Sequence, residues 1–163
     1  MITLIVGFVA AAIAIAAIWH NALEGRRAHV RQSEQFYLGR YWRLLDKLPA
    51  EALAEALKPQ DSPEPGPELS RISLLYLRVS EDACEQRQRG EVSDPTWRIR
   101  SAAMRNQINR WPICTLWEKV NDPNGQFPLL GNLMKNDPYD PCTMKKPYKY
   151  LRGLTPGFTK GPE

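Results

Sequence analysis

The first stretch of the sequence is an apolar run long enough to cross a lipid bilayer. Residues Ile2 to Trp19 read ITLIVGFVAAAIAIAAIW and carry no charged side chain. A helix rises about 1.5 Å per residue, so the run covers roughly 27 Å, close to the hydrocarbon thickness of a membrane. A helix also satisfies its own backbone hydrogen bonds, as lipid requires. The pattern predicts a single N-terminal transmembrane helix over residues 1–20.

A cleaved signal peptide is the alternative interpretation of this run. Signal peptides usually carry positive charge before a shorter apolar core, and no Lys or Arg precedes Ile2. Ala14-Ile15-Ala16 could serve as a small-x-small cleavage site. We interpret the run as an uncleaved anchor.

Positive charge follows the apolar run and predicts its orientation. Arg26, Arg27 and Arg31 come soon after Trp19. Because cytoplasmic flanks of membrane helices are enriched in Lys and Arg, we expect a bacterial inner-membrane protein whose N-terminus is outside and whose remaining residues are cytoplasmic. Trp19 and the three arginines are predicted to contact lipid headgroups.

Small residues recur along one side of the apolar run. They are spaced three and four apart, which lets a second helix approach closely within lipid. The alternative is that alanine only fills a marginal spanning segment. We expect helix packing through Gly7, Ala10, Ala11, Ala14 and Ala17.

His20 ends the apolar run four residues after Ala16. This pair resembles the Ala-xxx-His element of bacterial antenna polypeptides, whose histidine ligates a chlorophyll-type pigment. The resemblance covers five residues and implies pigment or haem ligation by His20. The alternative is an interfacial histidine that contacts headgroups or a neighbouring subunit.

The apolar spacing after the run is helical, and alternation typical of a strand is lacking. The sequence therefore predicts an all-α protein with a small helical soluble domain. We divide it into juxtamembrane helices over 21–57, a proline-rich linker over 58–67 (KPQDSPEPGP) and a helical hairpin over 68–121. Pro49 is expected to end a helix that continues from the membrane.

The hairpin is predicted from two amphipathic stretches. Gly90 is a plausible stop for the first helix, and Asp94 before Pro95 is typical of the start of the second. We expect Pro112 to kink or break the second helix, which otherwise runs to about Asn121.

Residues 122–163 differ in kind, with seven prolines and five glycines. They also carry many aromatic and aliphatic residues, which a disordered tail would lack. We predict an extended tail that wraps a partner; wrapping its own domain is the alternative. The expected partner-binding residues are Phe127, Tyr139, Lys145, Lys146, Tyr148, Tyr150, Arg152 and Phe158.

Composition limits the chemistry that the chain could perform. Its 163 residues with 22 Lys+Arg and 18 Asp+Glu give a mild net charge of +4 and leave no room for barrels or full dinucleotide-binding domains. Cys84, Cys114 and Cys142 lack the clustering of a metal site. No phosphate loop, hydrolase elbow or nucleic-acid motif occurs. We therefore expect no metal, no further cofactor, no nucleic acid, no small-molecule substrate and no enzymatic activity.

These patterns favour a non-catalytic accessory subunit that binds membrane lipids and stabilises or assembles a larger membrane complex. Its helix would pack in the bilayer and its tail would hold neighbouring subunits together. A respiratory or photosynthetic complex is the host that this architecture suggests. The alternative is a membrane-anchored scaffold or signalling protein that recruits a soluble partner.

Overall fold

The structure, a computed structural model, describes residues 2–49, 63–120 and 125–155. Within these ranges the chain is helical and contains no strand, which confirms the prediction of an all-α protein. The helices are α1 (Ile2–Leu45), α2 (Pro67–Arg89), α3 (Asp94–Ile108), α4 (Ile113–Val120), α5 (Pro128–Lys135) and α6 (Lys146–Leu151).

Helix α1 is one continuous element of 44 residues. No proline interrupts it, and it ends before Pro49 in a turn whose Leu48 N–H donates to the Leu45 carbonyl at 2.9 Å. Its N-terminal part is long and apolar enough to cross a membrane, and its apolar window is not buried in the rest of the protein. The long N-terminal helix is therefore confirmed.

Helix α2 is the centre of the helical domain that follows the apolar segment, and it contacts α1, α3, α4 and α5. Its apolar side buries Ile72, Tyr76 and Leu77 at 3%, 1% and 0% exposure. Gly90 ends the helix with φ +75°, and the N–H groups of residues 90 and 91 donate to the carbonyls of residues 87 and 86. This left-handed C-cap is the stop that the sequence predicts.

The second predicted helix is divided in two at a proline. Helix α3 ends at Ile108, and α4 begins at Ile113 after a cis peptide bond between Trp111 and Pro112. Both isoleucines are fully buried, so the break keeps each helix facing the same core. At the other end of α3, Ser93 occupies the N-cap position and Asp94 is the first helical residue.

The tail is not extended over residues 125–155, contrary to the prediction. Two short helices, α5 and α6, form there because Leu130 and Leu133 are spaced for one helical face and Pro128 and Pro147 suit a first turn. Leu130, Leu133 and Leu154 are fully buried. These three leucines therefore cover the protein's own domain, and binding of a partner by the tail stays a prediction.

The proline-rich linker is described only from Pro63 onward. The Pro63 carbonyl accepts a 2.8 Å hydrogen bond from Trp111 Nε1, so this end of the linker lies against the junction of α3 and α4. Residues 50–57 of the predicted juxtamembrane helices, the rest of the linker and Phe158 lie outside the described residues.

Candidate interaction surfaces

The apolar part of α1 presents its side chains to the surroundings. Phe8 is 79% exposed and Ile13 is 65% exposed. The small residues of the predicted packing face are exposed as well: Gly7, Ala10, Ala11, Ala14 and Ala17. Soluble domains seldom expose so many neighbouring apolar side chains. This part of α1 therefore has the surface of a helix that is covered by lipid or by another helix.

Trp19 and His20 are also exposed on α1. His20 lies one turn before Glu24. Across the described ranges, no group of three or more His, Cys, Asp or Glu side chains could hold a metal ion. Ligation of a pigment or haem by His20 therefore remains a prediction from the sequence pattern alone.

The arginines after the apolar segment have different surroundings. Arg26 donates from Nη1 to the Leu151 carbonyl at 2.8 Å. The Arg27 guanidinium is paired with Glu24 at 2.5 Å and lies 5.7 Å from the centre of the Tyr150 ring. Arg31 is exposed. Arg27 thus helps to attach α6 to α1. This role is different from the contact with lipid headgroups that the sequence predicts.

The predicted partner-binding residues of the tail fall into two groups. Phe127 is buried beside Trp117, with ring centroids 6.5 Å apart, and the Tyr139 carbonyl accepts a 3.1 Å hydrogen bond from Trp97 Nε1. Phe127, Tyr139 and Tyr150 therefore contact other parts of the same chain. The exposed group is Lys145, Lys146, Tyr148 and Arg152.

A buried arginine connects the tail to the helical domain. Arg87 is 1% exposed, and its guanidinium donates to Asp94 at 2.5 Å, to Asp140 at 2.6 and 2.8 Å, and to the Val92 carbonyl at 2.7 Å. Lys149 Nζ lies 3.0 Å from the Asp140 carboxylate and 3.3 Å from that of Asp94. Two cations and two carboxylates therefore join α2, α3 and α6.

The electrostatics of this cluster favour its charged form. Burial raises the pKa of Asp140, but hydrogen bonds from Arg87, the Cys142 N–H and Lys149 outweigh it, and the pKa lies below its ordinary value. Burial lowers the pKa of Arg87, but hydrogen bonds to Asp140 and Asp94 outweigh it, and the pKa lies above its ordinary value. This cluster was not predicted from the sequence, because the pattern does not distinguish Arg87 from the charged residues on exposed helix faces.

A second buried charge, Glu81, caps a helix of the tail. Its two carboxylate oxygens accept hydrogen bonds from the N–H groups of Leu129 and Leu130, at 3.0 and 2.7 Å. These N–H groups belong to the first turn of α5, where negative charge is favourable. Burial raises the pKa of Glu81, and the two backbone donors oppose that rise. Glu81 therefore holds the tail and is not exposed to solvent.

The cysteines of the structure are buried thiols: Cys84, Cys114 and Cys142. Burial raises the pKa of the Cys84 thiol well above its ordinary value. A thiol in such surroundings is a poor nucleophile. All three thus have the character of small apolar core residues.

An apolar groove opens between α1, α2 and α3 on the soluble part of the molecule. It has a volume of about 190 Å³, and its wall is almost entirely apolar. The side chains that shape it are Leu38, Tyr41, Trp42, Val79, Ile99 and Met104. The sequence pattern missed it because residues 36–48 look like the buried side of a helix, and periodicity does not say what packs against that side.

The rim of the groove exposes large apolar side chains. Ile99 is 72% exposed, Trp42 54% and Leu38 43%. At one end Arg100 is largely buried and donates to the Glu34 carbonyl at 2.7 Å, and burial lowers its pKa. A contiguous apolar patch beside a concave apolar wall is typical of a protein-interaction site.

The chain matches no protein-family model, no characterised protein sequence and no solved structure. Its class therefore follows from its own architecture. Over the described residues it is an all-helical protein with one long, apolar N-terminal helix.

Proposed function

We propose that this protein is a non-catalytic, single-pass accessory subunit that assembles or stabilises a larger membrane protein complex. The apolar segment (Ile2–Trp19) spans a bacterial inner membrane with its N-terminus outside, and the helical domain lies in the cytoplasm. The observation that carries the proposal is the groove between α1, α2 and α3 with its exposed apolar rim.

The groove fits a helix of a partner protein. Trp42 on α1 and Ile99 on α3 both line it and are exposed, and tryptophan is the kind of anchor that dominates binding energy at interfaces. Arg31, Arg40 and Arg43 are exposed on the same part of α1. We therefore expect a partner helix that is apolar on one side and acidic at its flanks.

The same helix supplies a second surface for the partner complex. The small residues of the apolar segment are exposed, and α1 continues without a break from them to Leu38 and Trp42. Close packing between helices drives association in lipid, where burial of apolar surface gives no gain. A complex that contacts both surfaces binds α1 at two places, one within the membrane and one outside it.

The paired charges at the tail attachment support a binding role over a catalytic one. Arg87, Asp94, Asp140 and Lys149 satisfy one another, and Glu81 caps α5. Groups that are committed to packing in this way are unavailable for proton transfer to a substrate.

The test is the protein mass of the assembly after extraction of the native membrane in mild detergent. We expect the tagged chain to elute in a particle much larger than its own 18.6 kDa. A groove variant, W42E with I99E, should shift it to a smaller particle. The control Q88E with N106E adds the same two negative charges at exposed positions that do not line the groove and should leave the particle intact. Elution of the unmodified chain as a monomer would contradict the proposal.

A membrane-anchored scaffold that recruits a soluble partner is the second candidate. Its support is that Leu38 lies about 28 Å along the helix from Trp19, well beyond the bilayer. A variant of the small-residue face, A10L with A14L, separates the two. The accessory subunit should lose its complex in this variant, whereas the scaffold should lose its partner only in the groove variant.

A further inference from the structure

We infer that the protein binds the headgroup of an anionic glycerophospholipid in a cleft beside the end of the apolar segment, with Arg26 and Arg152 as the phosphate-binding side chains. The inference rests on the proposed insertion of α1 into a membrane. It assigns to Arg152 a ligand different from the protein partner that the sequence predicts.

The cleft lies between three separate parts of the chain. It has a volume of about 540 Å³ and is lined by Ala22, Arg26 and His29 of α1, by the turn at Gly90 and Glu91, and by Arg152 after α6. Arg26 and Arg152 are 126 residues apart in sequence, so only the folded tail brings their guanidinium groups to one cleft.

The position of Arg152 is fixed by its neighbours in the chain. The Leu151 carbonyl accepts the 2.8 Å hydrogen bond from Arg26, and the Leu154 carbonyl accepts another of 2.8 Å from the Asp94 N–H. Gly153 lies so close to α1 that an added Cβ would be 2.9 Å from Arg27 Cγ. The backbone on both sides of Arg152 is therefore held against α1.

The membrane side of the cleft lies at the depth of the headgroup layer, with Ala22 inside that layer and Arg26 just beyond it. Along a helix, Ala22 is about 5 Å and Arg26 about 10 Å beyond Trp19. The headgroup region on each side of a bilayer is about 5–8 Å thick. A lipid whose phosphate lies just outside the hydrocarbon can therefore reach this cleft without leaving its leaflet.

The chemistry of the lining fits a phosphodiester with a hydroxylated headgroup. Each guanidinium offers a planar pair of donors that matches two phosphate oxygens. The His29 ring adds an N–H donor. Glu91 lines the cleft as a carboxylate and can accept hydrogen bonds from headgroup hydroxyls, which favours a glycerol headgroup over choline.

The test is lipid retention by the purified full chain in mild non-ionic detergent, read by native mass spectrometry. Phosphatidylglycerol and phosphatidylcholine are added at equal concentrations. We expect the chain to retain phosphatidylglycerol in preference to phosphatidylcholine. The variant R26Q with R152Q should lower phosphatidylglycerol affinity on the order of thirtyfold, since each basic residue near an anionic surface contributes about fivefold.

A charge-matched control is R43Q with R78Q, which removes two exposed arginines away from the cleft. It should keep the preference. R152Q alone changes only an exposed side chain, so it tests the cleft even if the loss of Arg26 disturbs folding; R152K should restore part of the binding.

Four results of the lipid-retention measurement would overturn the inference. They are equal retention of both lipids, equal loss in the control variant, unchanged binding in R152Q, and full displacement of the lipid by millimolar inorganic phosphate, which would assign the cleft to the free ion. A monomer in the mass measurement above would contradict the proposed function but not this inference. Release of the protein from membranes by alkaline carbonate would contradict both.

Discussion

Arg87 lies where the end of α2, the start of α3 and the tail meet, and water scarcely reaches its guanidinium. A buried charge of this kind is stable only while its partners remain ionised. Asp140 is the partner that makes two hydrogen bonds to it, and about a third of the Asp140 side chain is exposed. Protonation of Asp140 therefore provides a direct route to loosening the tail.

Stability should fall in acid because of this pair. The pKa of Asp140 in the folded protein lies below its ordinary value of 3.8, so its contribution is present above pH 3.8 and is lost as the pH falls through the folded value. We expect D140N to lower the free energy of unfolding by about 1–2 kcal/mol at neutral pH, after allowance for its exposure. Urea unfolding in detergent from about pH 6.5 to about pH 3 should show this difference shrinking.

The control for this prediction is Asp137, whose side chain is 79% exposed and pairs with Arg105. D137N should cost less than D140N and should not reproduce its pH dependence. A D140N deficit that stayed constant down to about pH 3 would rule out the proposed linkage.

Glu81 gives a second prediction at the scale of one residue. Glutamine keeps the shape of Glu81 but offers only one carbonyl oxygen and places an amide donor against a backbone N–H. We expect E81Q to lower the free energy of unfolding by about 1–2 kcal/mol, measured by thermal unfolding.

Glu85 is the matched control on the same helix, since it is paired with Arg89 at the surface. E85Q should change the free energy of unfolding by less than about 0.5 kcal/mol. Equal effects of the two substitutions would show that Glu81 does not act as a cap.

At the scale of elements, the attachment of the tail to α1 depends on one glycine. Gly153 has φ +75°, a conformation that other residues adopt at a cost, and it lies against the backbone of Arg27. We expect G153A to destabilise the contact between α6 and α1 by about 2 kcal/mol. Limited trypsin digestion should then cut faster after Lys145 and Arg152, which are exposed and are not followed by proline.

Gly39 is the control position for this experiment, because it has room for a side chain. It lies inside α1, and an added Cβ would meet nothing within 4 Å. G39A should therefore stabilise the helix by up to about 1 kcal/mol and leave digestion of the tail unchanged. If G153A also left digestion unchanged, the tail would not depend on this close approach.

The elements that the sequence predicts best are those with long periodic patterns or strong breakers. The apolar run, the stop at Gly90 and the break at Pro112 all follow from local chemistry. The tail could not be predicted in this way, because α5 and α6 have 8 and 6 residues and are held by contacts to distant residues. Glu81 and Arg26 supply such contacts from 48 and 125 residues away.

At the scale of the whole molecule, the surfaces proposed to bind partners were only partly visible in the sequence. The small-residue face is encoded locally, since every member lies on α1. The groove and the lipid cleft each combine residues from distant parts of the chain. Hydrophobic periodicity shows which side of a helix is apolar, but not whether the rest of the chain covers it.

One unbroken α1 also fixes the rotational relation between the apolar segment and the helical domain. A helix turns about 100° and advances 1.5 Å with each residue. Adding or removing a single residue between Trp19 and Arg26 would therefore swing the whole domain about a quarter of a turn around the helix axis. The number of residues in that short interval therefore determines the direction, around the helix axis, in which the groove faces relative to the apolar segment.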